Sequence, residues 1–397
     1  MKHFWQIITL LWVAVLFPLS AHSAQGTSTP LVNLPSLETK FSLPFTTLPG
    51  VSERRWFGEW WLGSGVKNFS EGKDEGTASS FRASLLFGYR LTEWARFHLD
   101  TDVTFNAGRV QTRYEDDFNP TSLRMREGYL SFGDIEVVEF RVGALSQKDL
   151  GSDLLVYGRR AFPGVREQIN VGPPSVHLSF WAQQTMPTSY SLDTQREERE
   201  KTPTFLSETV SLVLKPTQEL DAVFSVSHYQ FNNLPAIVAF DSSALGNSTN
   251  GDVAANSDFK YGFEGFLISA EGCICLAGPL SFRFGGEWLQ NTQAPSNANR
   301  GQLLFLEGNL RIKRLMKITP RYSAFFNESD TSPAYYNRWD LGNNNRKGLI
   351  AELAIEMTQY GFTIVSSYIQ SAMINQDPFQ FDKQVFMIGV ETSHVSF

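Results

Sequence analysis

The stretch RFHLDTDVTF, residues Arg96 to Phe105, alternates between apolar and polar side chains. Its aromatic and aliphatic residues fall on one parity, and its arginine, histidine and aspartates fall on the other. Alternate residues of a β-strand point to opposite faces, so this stretch predicts a strand with one apolar and one ionic face. Such a strand fits a soluble sandwich with an apolar core, or a membrane barrel whose charged face lines an aqueous lumen. The rest of the chain has to distinguish the two.

The first 24 residues have the layout of a secretory signal peptide. A lysine at position 2 precedes an apolar run over residues 4–19, and the small-residue stretch AHSA ends at residue 24. Residues 25–53 are rich in Ser, Thr, Leu and Pro, and we interpret them as a periplasmic N-terminal lead-in. The alternating pattern occupies residues 54–397, which predicts that this segment is the transmembrane β-barrel.

Composition narrows the classes of function. The 397 residues contain 34 basic and 41 acidic side chains, a formal net charge of −7, which argues against nucleic acid as a partner. No apolar run of about 18 residues follows the signal peptide, yet the chain holds 32 Phe, 12 Tyr and 9 Trp. A polar average with many aromatic residues is typical of a membrane barrel, because half of every strand faces water.

The two cysteines, Cys273 and Cys275, lie in the stretch EGCICLAG, which is typical of a turn. A single CxC pair is neither a disulfide framework nor a zinc-site pattern. We interpret the pair as free thiols or one local disulfide, and the sequence predicts neither a metal nor a cofactor.

About sixteen alternating segments follow one another, and long and short connections alternate between them. For example, the two-residue GD joins segments 121–132 and 135–145, whereas a long connection at 232–257 is rich in Ala, Asn, Ser and Asp. Even the first two segments are separated by the polar KNFSEGKDEGTA. Short periplasmic turns, longer extracellular loops and an even strand number are the pattern of outer-membrane barrels. The sequence therefore predicts an all-β, antiparallel transmembrane barrel of about sixteen strands.

Three places leave the pattern ambiguous. The parity slips near Gly265, and Pro320 lies inside a segment of a barrel that offers no free edge, so a bulge is expected at each. The pair Trp60-Trp61 leaves the register of the first segment open.

Two adjacent stretches, LRMREGYLSF (residues 123–132) and VVEFRVGALSQ (residues 137–147), resemble the Arg-Glu-x-Tyr hairpin of bacterial outer-membrane porins. The C-terminal HVSF is similar to the end of barrels that the bacterial insertion machinery receives. This resemblance implies a diffusion channel for small hydrophilic solutes or ions, assembled as a homotrimer in a Gram-negative outer membrane. Its other partners would be outer-membrane lipid and lipopolysaccharide.

In porins of this kind the third outer loop commonly folds inward and narrows the pore. The third long connection here is 146–160, whose Leu154, Leu155 and Val156 suit packing against the barrel wall. Asp149 and Asp153 would then project into the lumen, opposite arginines on neighbouring strands. The predicted pore-lining and constriction residues are Arg82, Arg96, His98, Asp100, Asp102, Arg124, Arg126, Glu139, Arg141, Asp149 and Asp153.

The wall arginines, with Arg166 among them, allow two interpretations. Facing an acidic loop, they would create a transverse field that orients dipolar solutes and selects among ions. Alternatively, they pair with wall carboxylates and stiffen the barrel. The carboxylates available for such pairs are Asp100, Asp102, Glu127, Glu139 and Glu167.

Two other classes of function compete with a channel. An outer-membrane barrel hydrolase would need a nucleophile with a histidine and a carboxylate, but no Gly-x-Ser-x-Gly or His-Glu-x-x-His motif occurs. A barrel that anchors an adhesin would present large surface loops, and the loops predicted here are modest. We therefore predict a channel and no enzymatic activity.

Overall fold

The computed structural model describes residues 55–111, 121–134, 137–158, 160–173, 175–187, 200–215, 217, 220–276, 279–312 and 315–396. The predicted signal peptide (1–24) and lead-in (25–53) lie outside the described residues.

Sixteen strands in the described part of the chain form one closed antiparallel barrel, as predicted. Each strand pairs with the next, and the last strand pairs with the first, for example Gly65 with Gly389. The strands are β1 (Trp56–Glu71), β2 (Asp74–Arg90), β3 (Ala95–Gln111), β4 (Thr121–Asp134), β5 (Val138–Ser146), β6 (Ala161–Val171), β7 (Val176–Thr185), β8 (Thr204–Leu214), β9 (Leu220–Asn232), β10 (Phe263–Cys275), β11 (Leu280–Asn291), β12 (Arg300–Ile312), β13 (Met316–Asn327), β14 (Arg346–Met357), β15 (Phe362–Met373) and β16 (Lys383–Thr392). A short continuation of β16, Val395–Ser396, also pairs with β1.

One rim of the barrel carries short turns and the other carries the longer connections. The short turns that lie wholly within the described residues are 91–94 and 358–361. The opposite rim carries, among others, the connections that we call L3 (147–160), L5 (233–262) and L7 (328–345).

The first hairpin breaks the predicted alternation of long and short connections. β1 and β2 are longer than the sequence suggested, and only residues 72 and 73 separate them. Gly72 has a φ of 69°, which suits a two-residue hairpin turn because such turns need positive φ at the first position.

L5 contains a short helix, α1 (Ala236–Ser243), and a two-residue ladder between Thr249–Asn250 and Asp258–Phe259. Single 3₁₀ turns occur in L3 (Lys148–Leu150) and L7 (Trp339–Leu341). Among the described residues, no helix is long and apolar enough to cross a membrane.

The outward-facing side chains form an exposed apolar surface. Leu304 is 64% exposed, and Val226 and Phe224 are each 51% exposed. A contiguous apolar surface of this kind is unfavourable in water and is typical of a lipid-facing barrel wall. Trp94 and Tyr360, in turns of one rim, are 60% and 64% exposed, as expected of an aromatic girdle at the membrane interface.

The structure settles the register of Trp60 and Trp61. Trp60 faces outward and is 40% exposed, whereas Trp61 faces the lumen and is 5% exposed. Trp61 stacks on His394 with ring centroids 4.3 Å apart.

Neither bulge expected from the sequence is present, and a different one is. Gly265 pairs in continuous register with both neighbouring strands. At Pro320 the pairing with β12 is interrupted beside Gly308 and resumes in the same register. Proline lacks a backbone N–H, but the strands accommodate this without the extra residue of a bulge. The register instead shifts between Asp100 and Thr101 on β3, where β4 holds one extra residue.

The cysteines lie at the end of β10 and not in the turn that the sequence suggested. Both are free thiols, Cys273 half-buried and Cys275 exposed. Within the described ranges, no cluster of three or more His, Cys, Asp or Glu side chains could hold a metal ion.

The inner wall is apolar near the long connections, which the sequence did not predict. Buried aromatic and aliphatic side chains line β1 and β6–β16, covered by residues of L3, L5 and L7. These wall residues are Phe69, Phe162, Trp181, Phe205, Tyr229, Phe231, Phe263, Leu267, Leu289, Leu303, Phe305, Phe325, Ile350, Ile369, Val385 and Met387. Contact with water would be unfavourable for them, so the inward-folded connections stabilise this half of the barrel.

Candidate functional site

L3 folds into the barrel, and its apolar triplet packs as the sequence predicts. Leu154 is 2% exposed, and Leu155 and Val156 are 0% exposed. They belong to the same hydrophobic cluster as Phe162 of β6 and Tyr336 of L7. L3 is therefore held inside the barrel by hydrophobic burial.

Polar contacts attach the beginning of L3 to the wall. Asp149 accepts a hydrogen bond from Arg166 of β6, and its carboxylate lies 3.7 Å from the guanidinium of Arg141. The ammonium of Lys148 lies 3.2 Å from Glu127 of β4. Arg166 also donates to the carbonyl oxygen of Ser146 at 3.0 Å. Asp149 and Arg141 therefore lie in direct contact, and these ion pairs fix the beginning of L3 against the wall.

The bulge in β4 places two charged residues on the inner wall in succession. The extra residue is Arg126, and both Arg126 and Glu127 are 3% exposed. The guanidinium of Arg126 lies 2.9 Å from Asp100 and 3.5 Å from Asp102, and 5.3 Å above the ring of Trp61. A bulge is a common way to redirect a side chain.

Other predicted wall residues also form ion pairs. Arg82 of β2 donates to Glu391 of β16 across Gly63 of β1, which offers no side chain between them. Arg141 donates to Glu139 at 2.7 Å. These pairs favour the interpretation in which arginines stiffen the wall.

Three predicted residues lie on the same wall of β3 and β4. His98 stacks on Tyr129 at 4.9 Å between ring centroids, and its Nε2 lies 3.4 Å from Glu127. Arg96 is paired in register with Ser131, and Arg124 with Asp102. Arg96 and Arg124 therefore lie several residues apart along the strands, and not at one level.

Asp153 of L3 contacts L7. Its carboxylate lies 3.3 Å from the guanidinium of Arg338, and the backbone amide of Arg338 donates to the Asp153 carbonyl oxygen at 3.1 Å. Burial alone would lower the pKa of Arg338, but Asp153 and Asp340 raise it above its ordinary value. The guanidinium therefore keeps its charge. Sequence reasoning did not identify L7 as part of the site.

Asparagine side chains hold L7 in one conformation. Asn344 donates to the carbonyl oxygens of Ser329 and Ser332 at 2.9 and 2.6 Å, and Asn343 donates to that of Ala334 at 2.7 Å. Asn343 has a φ of 67°, in the left-handed region that asparagine tolerates better than most residues. The run NNN at residues 343–345, directly before β14, is a sequence signal that could have indicated this ordered loop.

The pKa of Asp149 predicts how L3 responds to acid. Burial alone would raise this pKa, but Arg166, Arg141 and Lys148 together lower it. A carboxyl with a lowered pKa contributes stability above its unfolded pKa of about 3.9 and loses it as pH falls through the lowered value.

We therefore expect Asp149→Asn to lower the temperature at which the folded barrel unfolds in gel-mobility assays, by the same amount at pH 7 and pH 5. The difference from wild type should shrink only at pH values below the ordinary range of aspartate. A difference that has already vanished at pH 5 would contradict the ion pairs described for Asp149.

Comparisons with known proteins give the fold. No protein-family model matches the sequence, and the search of curated proteins finds no match. Among solved structures, the high-pH structure of Pseudomonas putida OprB matches with a TM-score of 0.54 and 12% identity, covering 86% of this chain and 94% of that chain. The low-pH structure of the same protein matches with a TM-score of 0.50 and 9% identity, covering 86% and 93%. The chain therefore has the fold of the outer-membrane porins, a closed antiparallel barrel of sixteen strands.

Proposed function

We propose that the protein is a passive-diffusion channel of a Gram-negative outer membrane, through which small hydrophilic solutes or ions cross. The observation that carries this proposal is that one barrel combines an exposed apolar outer wall, a charged inner wall and an inward-folded L3. Such a barrel is stable in lipid and offers an aqueous path. Its fold neighbours support the same function.

The proposed constriction lies between L3 and the inner wall of β2–β5. The wall contributes Arg82, Arg96, His98, Asp100, Asp102, Arg124, Arg126, Glu139 and Arg141, and L3 contributes Asp149 and Asp153. Because most arginines described here are paired with carboxylates, we propose a balanced field and not a strongly anion-selective filter. Several of these pairs are largely buried, where salt screens charges less than at an exposed surface.

We further propose a homotrimer in contact with outer-membrane lipid and lipopolysaccharide, as the resemblance to porins implies. No enzymatic activity is proposed, and neither is an adhesive role. The first experiment is to measure single-channel conductance of the purified barrel in planar bilayers, with the reversal potential in a salt gradient. A folded barrel that does not conduct would refute the channel.

The selectivity of the channel should depend on Arg124 and Arg126. Replacing both by alanine removes two positive charges beside Asp100 and Asp102, so the reversal potential should shift toward cation preference. These charges lie on one wall, within about one Debye length (~8 Å at physiological salt) of the carboxylates they balance.

The matched control replaces both arginines by lysine, which keeps the charge and should leave the reversal potential close to wild type. Asp149→Asn should shift the reversal potential the opposite way, toward anions. If the alanine variant folds and keeps the wild-type conductance and reversal potential, the constriction is elsewhere.

A further inference from the structure

L3 and L7 come from opposite sides of the barrel. L3 connects β5 to β6, and L7 connects β13 to β14. The strands follow one another in sequence order around the closed barrel, so eight strands separate the two loops in either direction. Any direct contact between L3 and L7 therefore has to cross the lumen.

The two loops make such contacts through two backbone hydrogen bonds and one hydrogen bond from a side chain. The amide of Tyr157 donates to the carbonyl oxygen of Tyr336 at 2.8 Å, and the amide of Arg338 donates to that of Asp153 at 3.1 Å. The hydroxyl of Ser332 donates to the Leu154 carbonyl oxygen at 2.7 Å. L3 and L7 thus form a continuous bridge across the inside of the barrel.

Aromatic packing also stabilises the bridge between L3 and L7. The ring of Tyr336 meets Phe162 of β6 edge-on at 5.4 Å and stacks on Phe231 of β9 at 6.0 Å. Tyr336 is 0% exposed. Tyr336 belongs to L7, and Phe162 lies at the start of β6, directly after L3. Their packing therefore holds L7 against the end of L3.

A chain of alternating charges continues the bridge to β1. Asp153 of L3 pairs with Arg338, Arg338 lies 3.6 Å from Asp340, and Asp340 lies 3.7 Å from the ammonium of Lys67. Lys67 and Asp340 are each 1% exposed. Leaving one of these buried charges without its partner would strongly destabilise the folded protein. The ion pairs therefore favour one arrangement of L7.

We propose that L7 is the second wall of the constriction, with Arg338 as the residue that fixes the position of L3 against it. The size of the pore is then set by the L3–L7 bridge, and not by L3 alone. This inference rests on the proposed channel function. It assigns to Arg338 and Asp340 a role that is separate from that of the wall arginines.

A reversible cross-link between the loops tests the proposal. The variant Asp153→Cys/Arg338→Cys is made in a background with Cys273→Ser and Cys275→Ser, so that only the bridge can form a disulfide. The backbone hydrogen bond between positions 153 and 338 brings their Cα atoms within the range of a disulfide. Conductance is measured in planar bilayers after oxidation with diamide and again after reduction with dithiothreitol.

We expect the reduced variant to conduct more than the same variant when it is oxidised, because neither the disulfide nor the charge pair then holds L3 against L7. The single variant Asp153→Cys in the same background should not respond to oxidation or reduction. Equal conductance of the oxidised and reduced double variant, in a folded barrel, would overturn the proposal.

A second variant covers the case in which the cysteine pair does not fold. Arg338→Gln keeps much of the side-chain volume but removes the charge, and it should raise conductance relative to wild type. Arg338→Lys should have a smaller effect. Wild-type conductance in Arg338→Gln would also overturn the proposal, whereas absent conductance in wild type would refute the channel function itself.

Discussion

Val226→Arg is expected to prevent insertion of the barrel, whereas Ser225→Arg, one position away, is expected to be tolerated. Val226 faces outward in the middle of β9 and is 51% exposed, so an arginine there would contact lipid. An arginine on the lipid face near mid-bilayer costs about 2–4 kcal/mol. The expected result is loss of the heat-modifiable folded band after refolding into detergent or lipid vesicles.

Ser225 provides the matched control because it lies on the same strand and faces the lumen. Its hydroxyl lies 2.8 Å from that of Ser211 on β8, so the substitution loses one neutral hydrogen bond and places the new charge in the lumen. Val226→Ile should also fold, because it keeps the outer face apolar. Equal damage from arginine at both positions would mean that the assignment of inner and outer faces is wrong.

Leu155→Asp is expected to release L3 from the inner wall and to raise conductance, while the barrel stays closed. Leu155 is 0% exposed within the cluster that joins L3 to L7 and β6. Truncating a buried leucine costs about 2–5 kcal/mol, and placing a carboxylate in an apolar site adds a further penalty. The strand ladder does not involve this side chain, so heat-modifiable mobility should persist.

Leu155→Met is the control, because it keeps the volume and the apolar character of the side chain. It should conduct like wild type. Higher conductance in the methionine variant, or wild-type conductance in a folded aspartate variant, would show that packing of L3 does not limit the pore.

Much of the fold could be predicted because a barrel strand repeats every two residues. The parity of Arg96–Phe105 identified the inner and outer faces correctly, and the connections identified the closed barrel. Where a strand lacked contrast between its faces, the sequence left the register open. At Trp60 and Trp61 either parity was apolar, and only pairing with β2 and β16 decided which ring faces the lumen.

The candidate site could be predicted only in part. Arg126, Asp100 and Asp102 were placed on the inner wall by parity alone, and the structure pairs them there. The bulge at Arg126 was not predicted, because LRMREGYLSF contains neither glycine nor proline at the position of the extra residue. Bulges expected at Gly265 and Pro320 were wrong, since neighbouring strands accommodate both residues in register.

The sequence by itself determined the strands, their faces and the inward packing of Leu154–Val156, because each depends on residues close together in the chain. Only the tertiary structure decided that L7 meets L3 and that Asp153 pairs with Arg338, residues 185 positions apart. A closed barrel brings connections from opposite sides, such as L3 and L7, into contact over its lumen. A local sequence pattern does not predict which of their side chains then make contact. Likewise, only the tertiary structure shows that loops L5 and L7 cover the apolar inner wall and shield it from water. The physical reason is that periodicity is a local property of a strand, whereas the partner of a loop depends on the closure of the whole barrel.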